Sequence, residues 1–241
     1  MLTRKASTTN NFISLLILGP KSPGKDFDVF LEPLIEELHQ LSSGVMTYDA
    51  SSRTKFNLHA AVLWSINDNP ALGTLSGRST KGYYACVHCD KNPLSRRLKN
   101  NIGYIDHRRY LPTDHDWRKY TKEFDGNTEE QGAPEKFTAE EVAELLQRVS
   151  HVQPGVTDTG LKRKRGDKGE RVIYNRKSAW WKLPYWKDLL LPHNLDVMRI
   201  EKNICDNLLG TLLKLEGKTK DTVSSRIDLV VMGIRRILHP Y

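Results

Sequence analysis

The sequence Ala60-Ala-Val-Leu-Trp-Ser-Ile66, continued by Asn67-Asp68-Asn-Pro-Ala71, is the stretch that decides the fold. Its apolar run predicts a buried strand over residues 57–66, which ends abruptly on the Asp68 carboxylate and a proline turn. A Cys-x-x-Cys motif, Cys86-Val-His-Cys89, follows shortly. An acidic side chain at the C-terminal edge of a strand, close to such a motif, indicates the rim of a metal-dependent active site.

A second acidic cluster lies far downstream, in the string His193-Asn-Leu-Asp196-Val-Met-Arg-Ile-Glu201-Lys-Asn203. Asp196 and Glu201 offer the further carboxylates that such a site needs. They are five positions apart on a predicted helix. They therefore do not share one face closely, and we expect only one of them to face a metal ion. Together with Asp68, this cluster points to DNA-processing chemistry.

Length, charge and cysteine content narrow the class of protein. A chain of 241 residues can bury a sizeable core, as one large domain or one domain with an insertion. The formal net charge of +8 favours polyanionic partners, nucleic acid first, because Lys and Arg contacts release phosphate counterions. Three cysteines and no signal peptide indicate a reducing intracellular compartment. The apolar run at 12–18 is too short to cross a bilayer, so no membrane role is expected.

The composition divides the chain into five segments. They are a disordered polar leader at 1–12, a core segment at 13–68, a Cys- and His-containing insertion at 69–120, a segment with a linker, a helix and a basic loop at 121–178, and a helical segment at 179–241. β-Prone residues at 13–18 predict a strand that ends at Gly19-Pro20. The insertion has few periodic apolar residues, so something other than an apolar core is expected to hold it together.

Four helices are predicted from periodicity and capping residues. Apolar residues recur at three- and four-residue spacing over 26–41, and Asp26 can cap that helix. The string Thr138-Ala-Glu-Glu141 fits a capping box that opens a helix through residue 149. The last two helices are predicted over 195–215 and 222–238. Cys205 lies among apolar residues of the first of these, which predicts a buried core thiol.

Several further unusual strings occur in order along the chain. They are Leu18-Gly-Pro-Lys-Ser-Pro-Gly-Lys-Asp26, Asp28-Val-Phe-Leu-Glu-Pro-Leu34, Leu75-Ser-Gly-Arg-Ser-Thr-Lys-Gly82, His107-Arg-Arg-Tyr-Leu-Pro112 and Leu183-Pro-Tyr-Trp186. Together with residues 61–68, the Cys-x-x-Cys motif and residues 193–203, they resemble the Tnp2-type transposases of CACTA (En/Spm) DNA transposons. The resemblance runs from about residue 13 to the C-terminus.

The resemblance implies an α/β fold with an RNase H-like core of the DDE/D class. In that fold three acidic residues converge on two divalent metal ions, which activate water or a 3′-hydroxyl group and stabilise the phosphorus centre. Asp68 matches the second acidic position, Glu201 is the candidate for the third, and Asp196 is the second choice for it. Carboxylate oxygens suit a hard cation, so Mg²⁺ is the expected metal.

The resemblance also implies that the first acidic residue lies on a strand upstream of the one at 13–18. Residues 1–11 contain no acidic residue. We therefore expect a partial RNase H-like core that lacks its first strands and is inactive by itself, with an inserted zinc-knuckle module and a helical insertion. DNA at transposon ends is the expected partner, together with an accessory DNA-binding protein encoded by the element, and the expected location is the nucleus.

The Cys-x-x-Cys motif predicts a structural Zn²⁺ site. Cys86 and Cys89 need two further ligands to complete a tetrahedron, and His107 and His115 are the expected suppliers. His88 lies inside the motif and is expected to be badly aimed. Redox use of the two thiols is disfavoured because no thioredoxin-like βαβ context surrounds them.

Three basic or aromatic segments have both a binding and a structural interpretation. Arg108 and Arg109 are candidates for contacts with backbone phosphates. The run Lys162-Arg163-Lys164-Arg165 fits a nuclear-localisation signal, a phosphate-contact patch or a merely solvated loop. The string Trp180-Trp-Lys-Leu-Pro-Tyr-Trp186 offers rings that can stack on unpaired bases, but we favour core anchors for them.

Alternatives remain for the acidic residues and for the whole chain. Instead of binding a metal ion, Asp68 could cap the following helix. Glu201 could instead form a surface pair with Lys202 or Arg199. The rival function is a non-enzymatic remnant that binds nucleic acid or protein and keeps a structural zinc site. A third possibility is a chain that does not fold, because two missing strands would expose a sheet edge.

Overall fold

A computed structural model describes residues 13–20, 23–105, 107–124, 126–152 and 172–240. Its helices are α1 (Phe27–Ser43), α2 (Asn69–Ser76), α3 (Ala139–Gln147), α4 (Val197–Leu212) and α5 (Val223–Met232). Its strands are β1 (Val45–Asp49), β2 (Thr54–Leu58), β3 (Ser65–Asn67), β4 (Ser95–Arg97), β5 (Ile102–Tyr104) and β6 (His193–Leu195). The expected leader and the run Lys162–Arg165 lie outside the described residues. None of the helices in the described ranges is long and apolar enough to cross a membrane.

The described strands pair two by two. β1 and β2 form an antiparallel hairpin, and β4 and β5 form another within the Cys- and His-containing insertion. β3 and β6 pair in parallel, and each is followed directly by a helix, α2 and α4 respectively. This side-by-side pair of strand–helix units confirms the α/β class.

The apolar core lies between α1 and the tryptophan-rich segment that precedes β6. Leu31, Ile35 and Leu38 recur on one face of α1 and are buried there. They pack against Trp180 and Trp186, whose rings stack with centroids 4.6 Å apart. The interpretation of these tryptophans as core anchors is therefore confirmed.

A buried ion pair ties this core to α2. The Arg176 guanidinium pairs with the Asp28 carboxylate on α1 and donates to the main-chain carbonyl of Thr74 on α2. Asp28 is 1 % exposed and Arg176 is 4 % exposed. Three separate parts of the chain are thus joined at one charged contact.

Two of the four predicted helices match closely in position. α1 begins after Asp26, although the side chain of Asp26 makes no cap bond. α3 has the predicted capping box, in which Thr138 and Glu141 bond each other's main-chain N–H groups. The last two helices are shorter than predicted. β6 occupies the start of the first of them, and α5 ends at Gly233 in a left-handed conformation.

The strand predictions need correction. Residues 13–18 form no strand, and Ile13 and Leu18 are exposed. The buried strand predicted over 57–66 is wrong in extent and in burial: it is divided between β2, which is exposed throughout, and β3, in which Ile66 is exposed. Of residues 59–64, only Val62 packs against the core. There the Val62 main-chain N–H donates to the Tyr185 hydroxyl over 3.2 Å. A continuous apolar run does not show where such a division occurs.

The prediction of a buried thiol at Cys205 is wrong. Cys205 is exposed, and Gly210 is the buried residue of α4. Neighbouring apolar side chains on α4, such as Ile204 and Leu208, are more than half exposed. The apolar face that predicted burial is not covered by the described part of the chain.

Candidate active site

Asp68 and Asp196 lie side by side at one edge of the parallel strand pair. Asn67, the last residue of β3, is opposite Leu195, the last residue of β6. The main-chain N–H of Asp196 donates to the Asn67 carbonyl over 2.8 Å. Because neighbouring strands lie about 4.8 Å apart, the two acidic residues follow the strand ends as close neighbours.

Each of these carboxylates caps the helix that follows it. Asp68 Oδ1 accepts from the Ala71 main-chain N–H over 3.0 Å, and Asp196 Oδ1 accepts from that of Arg199 over 3.2 Å. The capping interpretation of Asp68 is confirmed. Among the described residues, no hydrogen bond engages Oδ2 of either side chain. The two caps therefore fix both side chains while leaving one carboxylate oxygen of each available.

Glu201 lies apart from this pair. It follows Asp196 by five residues on α4, about 7 Å further along the helix axis, and its side chain is exposed. Lys202, its suggested surface partner, instead forms an ion pair with Asp206 over 2.6 Å. The structure thus brings Asp196, rather than Glu201, next to Asp68. Within the described ranges no three His, Cys, Asp or Glu side chains converge as a metal-binding group.

A hydrogen-bonded group behind the carboxylates was missed by sequence reasoning. Ser65 Oγ lies 2.7 Å from His193 Nδ1 and accepts from the Asn67 side-chain amide over 2.7 Å. The imidazole of His193 lies edge-on to Trp186 and Trp180. Burial lowers the pKa of His193 to about 4. The sequence signal that could have revealed this group is the presence of polar residues, Ser65 and His193, within short strands.

Cys86, Cys89 and His107 line a cavity in the insertion, which is the second candidate site. The cavity has a volume of about 320 Å³, and His88 and two tyrosines also line it. Cys89 is buried and Cys86 is half-buried. Desolvation, then the nearby Lys136 charge, lowers the pKa of His88 and favours the neutral imidazole that ligates metals.

His115 does not line this cavity. Its Nδ1 accepts from the Trp117 main-chain N–H over 3.1 Å, at the start of a short 3₁₀ helix. Its ring also packs edge-on against the Trp117 ring. The structure therefore places His88 and His107, and not His115, in the lining of the cavity that the two cysteines share.

Two buried arginines join the insertion to the linker that follows it. Arg108 donates to the carbonyls of Tyr120 and Asn127 over 2.8 and 3.0 Å, and its guanidinium covers the Phe124 ring at 4.5 Å. Arg109 donates to the carbonyls of Gly132 and Asn92 over 2.9 and 3.0 Å. They are 3 % and 7 % exposed. The structure thus buries both guanidinium groups between the insertion and the linker rather than on a surface that could meet phosphates.

Comparison with known proteins identifies the family. The family model described as transposase family tnp2 matches residues 4–149, more than half of the chain. The match includes β3, Asp68 and the Cys-x-x-Cys motif, and it ends before β6 and Asp196. No curated protein and no solved structure matches the chain significantly. On the strength of the family match, the chain belongs to the tnp2 family of transposases.

Proposed function

We propose that this chain is a transposase-derived domain whose ancestral reaction is metal-dependent DNA strand cleavage and transfer during transposition of a CACTA-type element. The observation that carries the proposal is the pairing of β3 with β6, which places Asp68 beside Asp196. Membership of the transposase family and the net charge of +8 support DNA as the partner.

Mg²⁺ is the metal that fits the two carboxylates. It is commonly held by one or two carboxylates together with water and substrate phosphates. When bound, such an ion polarises the scissile phosphate and lowers the pKa of bound water. The chain contributes carboxylates whose orientation is fixed by their cap bonds and whose charge is favoured at helix N-termini. Glu201 stays a candidate for a third acidic position further along α4.

Neutral amide variants test this proposal without removing the helix caps. Asparagine caps helices about as well as aspartate, so Asp68→Asn and Asp196→Asn should fold normally while losing the metal-binding charge. We expect each variant to weaken Mn²⁺ binding, followed by electron paramagnetic resonance, at least about tenfold. If the wild-type chain nicks supercoiled plasmid DNA in a metal-dependent way, the nicking rate of each variant should fall together with its Mn²⁺ affinity.

Asp206→Asn is the matched control, because it removes an exposed carboxylate from the same helix that carries Asp196. Its Mn²⁺ affinity should equal that of the wild type. Equal Mn²⁺ affinities in the wild type and both strand-end variants would refute the proposed metal site.

The second candidate function is a non-enzymatic remnant that binds nucleic acid or protein and keeps a structural Zn²⁺ site. The gathering of Cys86, Cys89, His88 and His107 around one cavity favours this candidate. Two thiolates and two imidazoles are a donor set that zinc takes in tetrahedral structural sites. The side chains would have to turn inward to close the tetrahedron, since no group of three converges in the described ranges.

Metal analysis of the purified chain tests this second candidate. We expect about one Zn²⁺ per chain, replaceable by Co²⁺ with a charge-transfer band from thiolate ligands. Cys89→Ser and His107→Ala should lose the metal, whereas His115→Ala should keep it. Zinc retained by Cys89→Ser would rule out this cavity. Zinc binding at this cavity without Mn²⁺ binding at Asp68 and Asp196 would favour the remnant over the enzyme.

The nuclear location and the accessory DNA-binding protein are also proposals. They rest on the chromosomal substrate that the family implies.

A further inference from the structure

The side chains of Asn67, Ser65 and His193 form one continuous chain of hydrogen bonds across the two parallel strands. The Asn67 amide donates to Ser65 Oγ within β3, and Ser65 Oγ bonds His193 Nδ1 on β6. Both distances are 2.7 Å, which is short for such bonds. Asn67 directly precedes Asp68, whereas Ser65 and His193 lie opposite each other, three residues before Asp68 and Asp196 respectively.

Main-chain bonds flank this side-chain network on both sides. The Ser65 N–H donates to the Pro192 carbonyl over 3.0 Å, and the Asp196 N–H donates to the Asn67 carbonyl over 2.8 Å. The described ladder between β3 and β6 is only three residues long. A ladder this short specifies its register weakly, and a slip by one residue would move one carboxylate away from the other.

The surroundings of His193 make the network rigid. Its ring centroid lies 5.3 Å from that of Trp186 and 6.5 Å from that of Trp180, and both tryptophans belong to the core. Because Ser65 Oγ accepts from Asn67, the hydroxyl proton is available to Nδ1 of His193. The ring is thus held by edge-on packing against both tryptophans and by one bond at Nδ1.

We propose that the Ser65–His193 hydrogen bond, oriented by Asn67, sets the register of β3 against β6 and thereby positions Asp68 beside Asp196. Ser65 and His193 are positioning residues, because they act on the carboxylates through the strands and not by touching a substrate. The consequence for metal binding rests on the proposed function of the two carboxylates, whereas the register itself does not.

Ser65→Ala tests the proposal, with Ser65→Thr as the variant that restores the hydroxyl group. Amide hydrogen exchange followed by nuclear magnetic resonance reports on the register through the Asp196 N–H, which bonds the Asn67 carbonyl in the native pairing. We expect the Asp196 amide to exchange at least about tenfold faster in Ser65→Ala, with amides inside α1 unchanged. Ser65→Thr should return the Asp196 rate toward that of the wild type. Thr47→Ala, which removes an exposed strand hydroxyl from β1, is the matched control.

Mn²⁺ affinity is the second readout, and it should fall about tenfold in Ser65→Ala and recover in Ser65→Thr. His193→Phe keeps an aromatic ring beside the two stacked tryptophans but removes the acceptor, so it should reproduce Ser65→Ala in both measurements. An unchanged Asp196 exchange rate in Ser65→Ala, or a rise shared equally by α1, would overturn the positioning role. If the wild type and Asp68→Asn bind Mn²⁺ equally, the proposed metal site fails instead, and hydrogen exchange still decides the register.

Discussion

At the scale of single residues, the environment of His193 shows how burial changes an ionisable side chain. The ring lies beside two core tryptophans, and its Nε2 atom is buried without a hydrogen-bond partner among the described residues. Desolvation disfavours the imidazolium form and lowers the pKa from 6.5 to about 4. The neutral ring is also the form that can accept at Nδ1 from Ser65.

The lowered pKa predicts a loss of stability in mild acid. The unfolded chain takes up a proton on this residue as the pH falls through 6.5, whereas the folded chain stays neutral until about pH 4. Protons therefore favour the unfolded state in that window. We predict that His193 lowers the free energy of unfolding by roughly 3 kcal/mol between pH 6.5 and pH 4. Below pH 4 this contribution should level off.

Urea unfolding of the wild type and His193→Phe at several pH values checks this prediction. Other titrating groups are common to both proteins, so the difference between their unfolding free energies isolates His193. Parallel curves through the window from pH 6.5 to pH 4 would contradict the prediction.

At the scale of elements, the residue type at a helix end determines its cap, whereas the tertiary fold determines which atoms surround that cap. α2 and α5 both end in a glycine with a left-handed conformation, Gly77 at φ +74° and Gly233 at φ +75°. A β-carbon at Gly77 would lie 2.4 Å from the Arg176 carbonyl oxygen, whereas one at Gly233 would meet nothing within 4 Å. The same cap is therefore crowded in one helix and open in the other.

Alanine variants at Gly233 and Gly77 should separate the cost of the left-handed backbone conformation from the cost of a steric clash. Gly233→Ala should cost only the left-handed conformation, about 1 kcal/mol of unfolding free energy. Gly77→Ala should cost at least about 2 kcal/mol, because a main-chain carbonyl must also shift. Chemical denaturation of both variants measures the difference. Equal losses would mean that the chain near Arg176 yields without cost.

At the scale of the whole molecule, the Asp28–Arg176 pair joins α1, α2 and the segment that leads into the tryptophans. Both partners are buried, so removing one leaves the other charge without compensation in the interior. The pair of Lys182 with Glu32 also links α1 to that segment, but its two side chains are 58 % and 36 % exposed. The two ion pairs thus connect the same parts of the chain, one buried and the other partly exposed to solvent.

We predict that Asp28→Ala lowers the free energy of unfolding by about 3–5 kcal/mol. Glu32→Ala should cost less than about 1 kcal/mol, because solvent already screens that pair. Thermal or urea unfolding of the two variants provides the comparison. A loss at Asp28 no larger than that at Glu32 would show that water reaches the inner pair.

The sequence by itself determined the family and those elements whose signals are local. The ordered motifs from residue 13 onward indicated a Tnp2-type transposase, and the apolar spacing in α1, the Thr138 capping box and the tryptophan anchors were all confirmed. The apolar spacing in α1 and the capping box depend on residues within a few positions of each other. Their physical causes, helical periodicity and main-chain capping, can therefore be read from the chain directly.

Only the tertiary structure decided which acidic residue stands beside Asp68. Ser65 and His193 are 128 residues apart, and their parallel pairing selects Asp196 over Glu201. The fold likewise buried Arg108 and Arg109 and left Cys205 exposed. Strand register and burial depend on contacts between distant segments. No local pattern of charge or apolar residues contains that information.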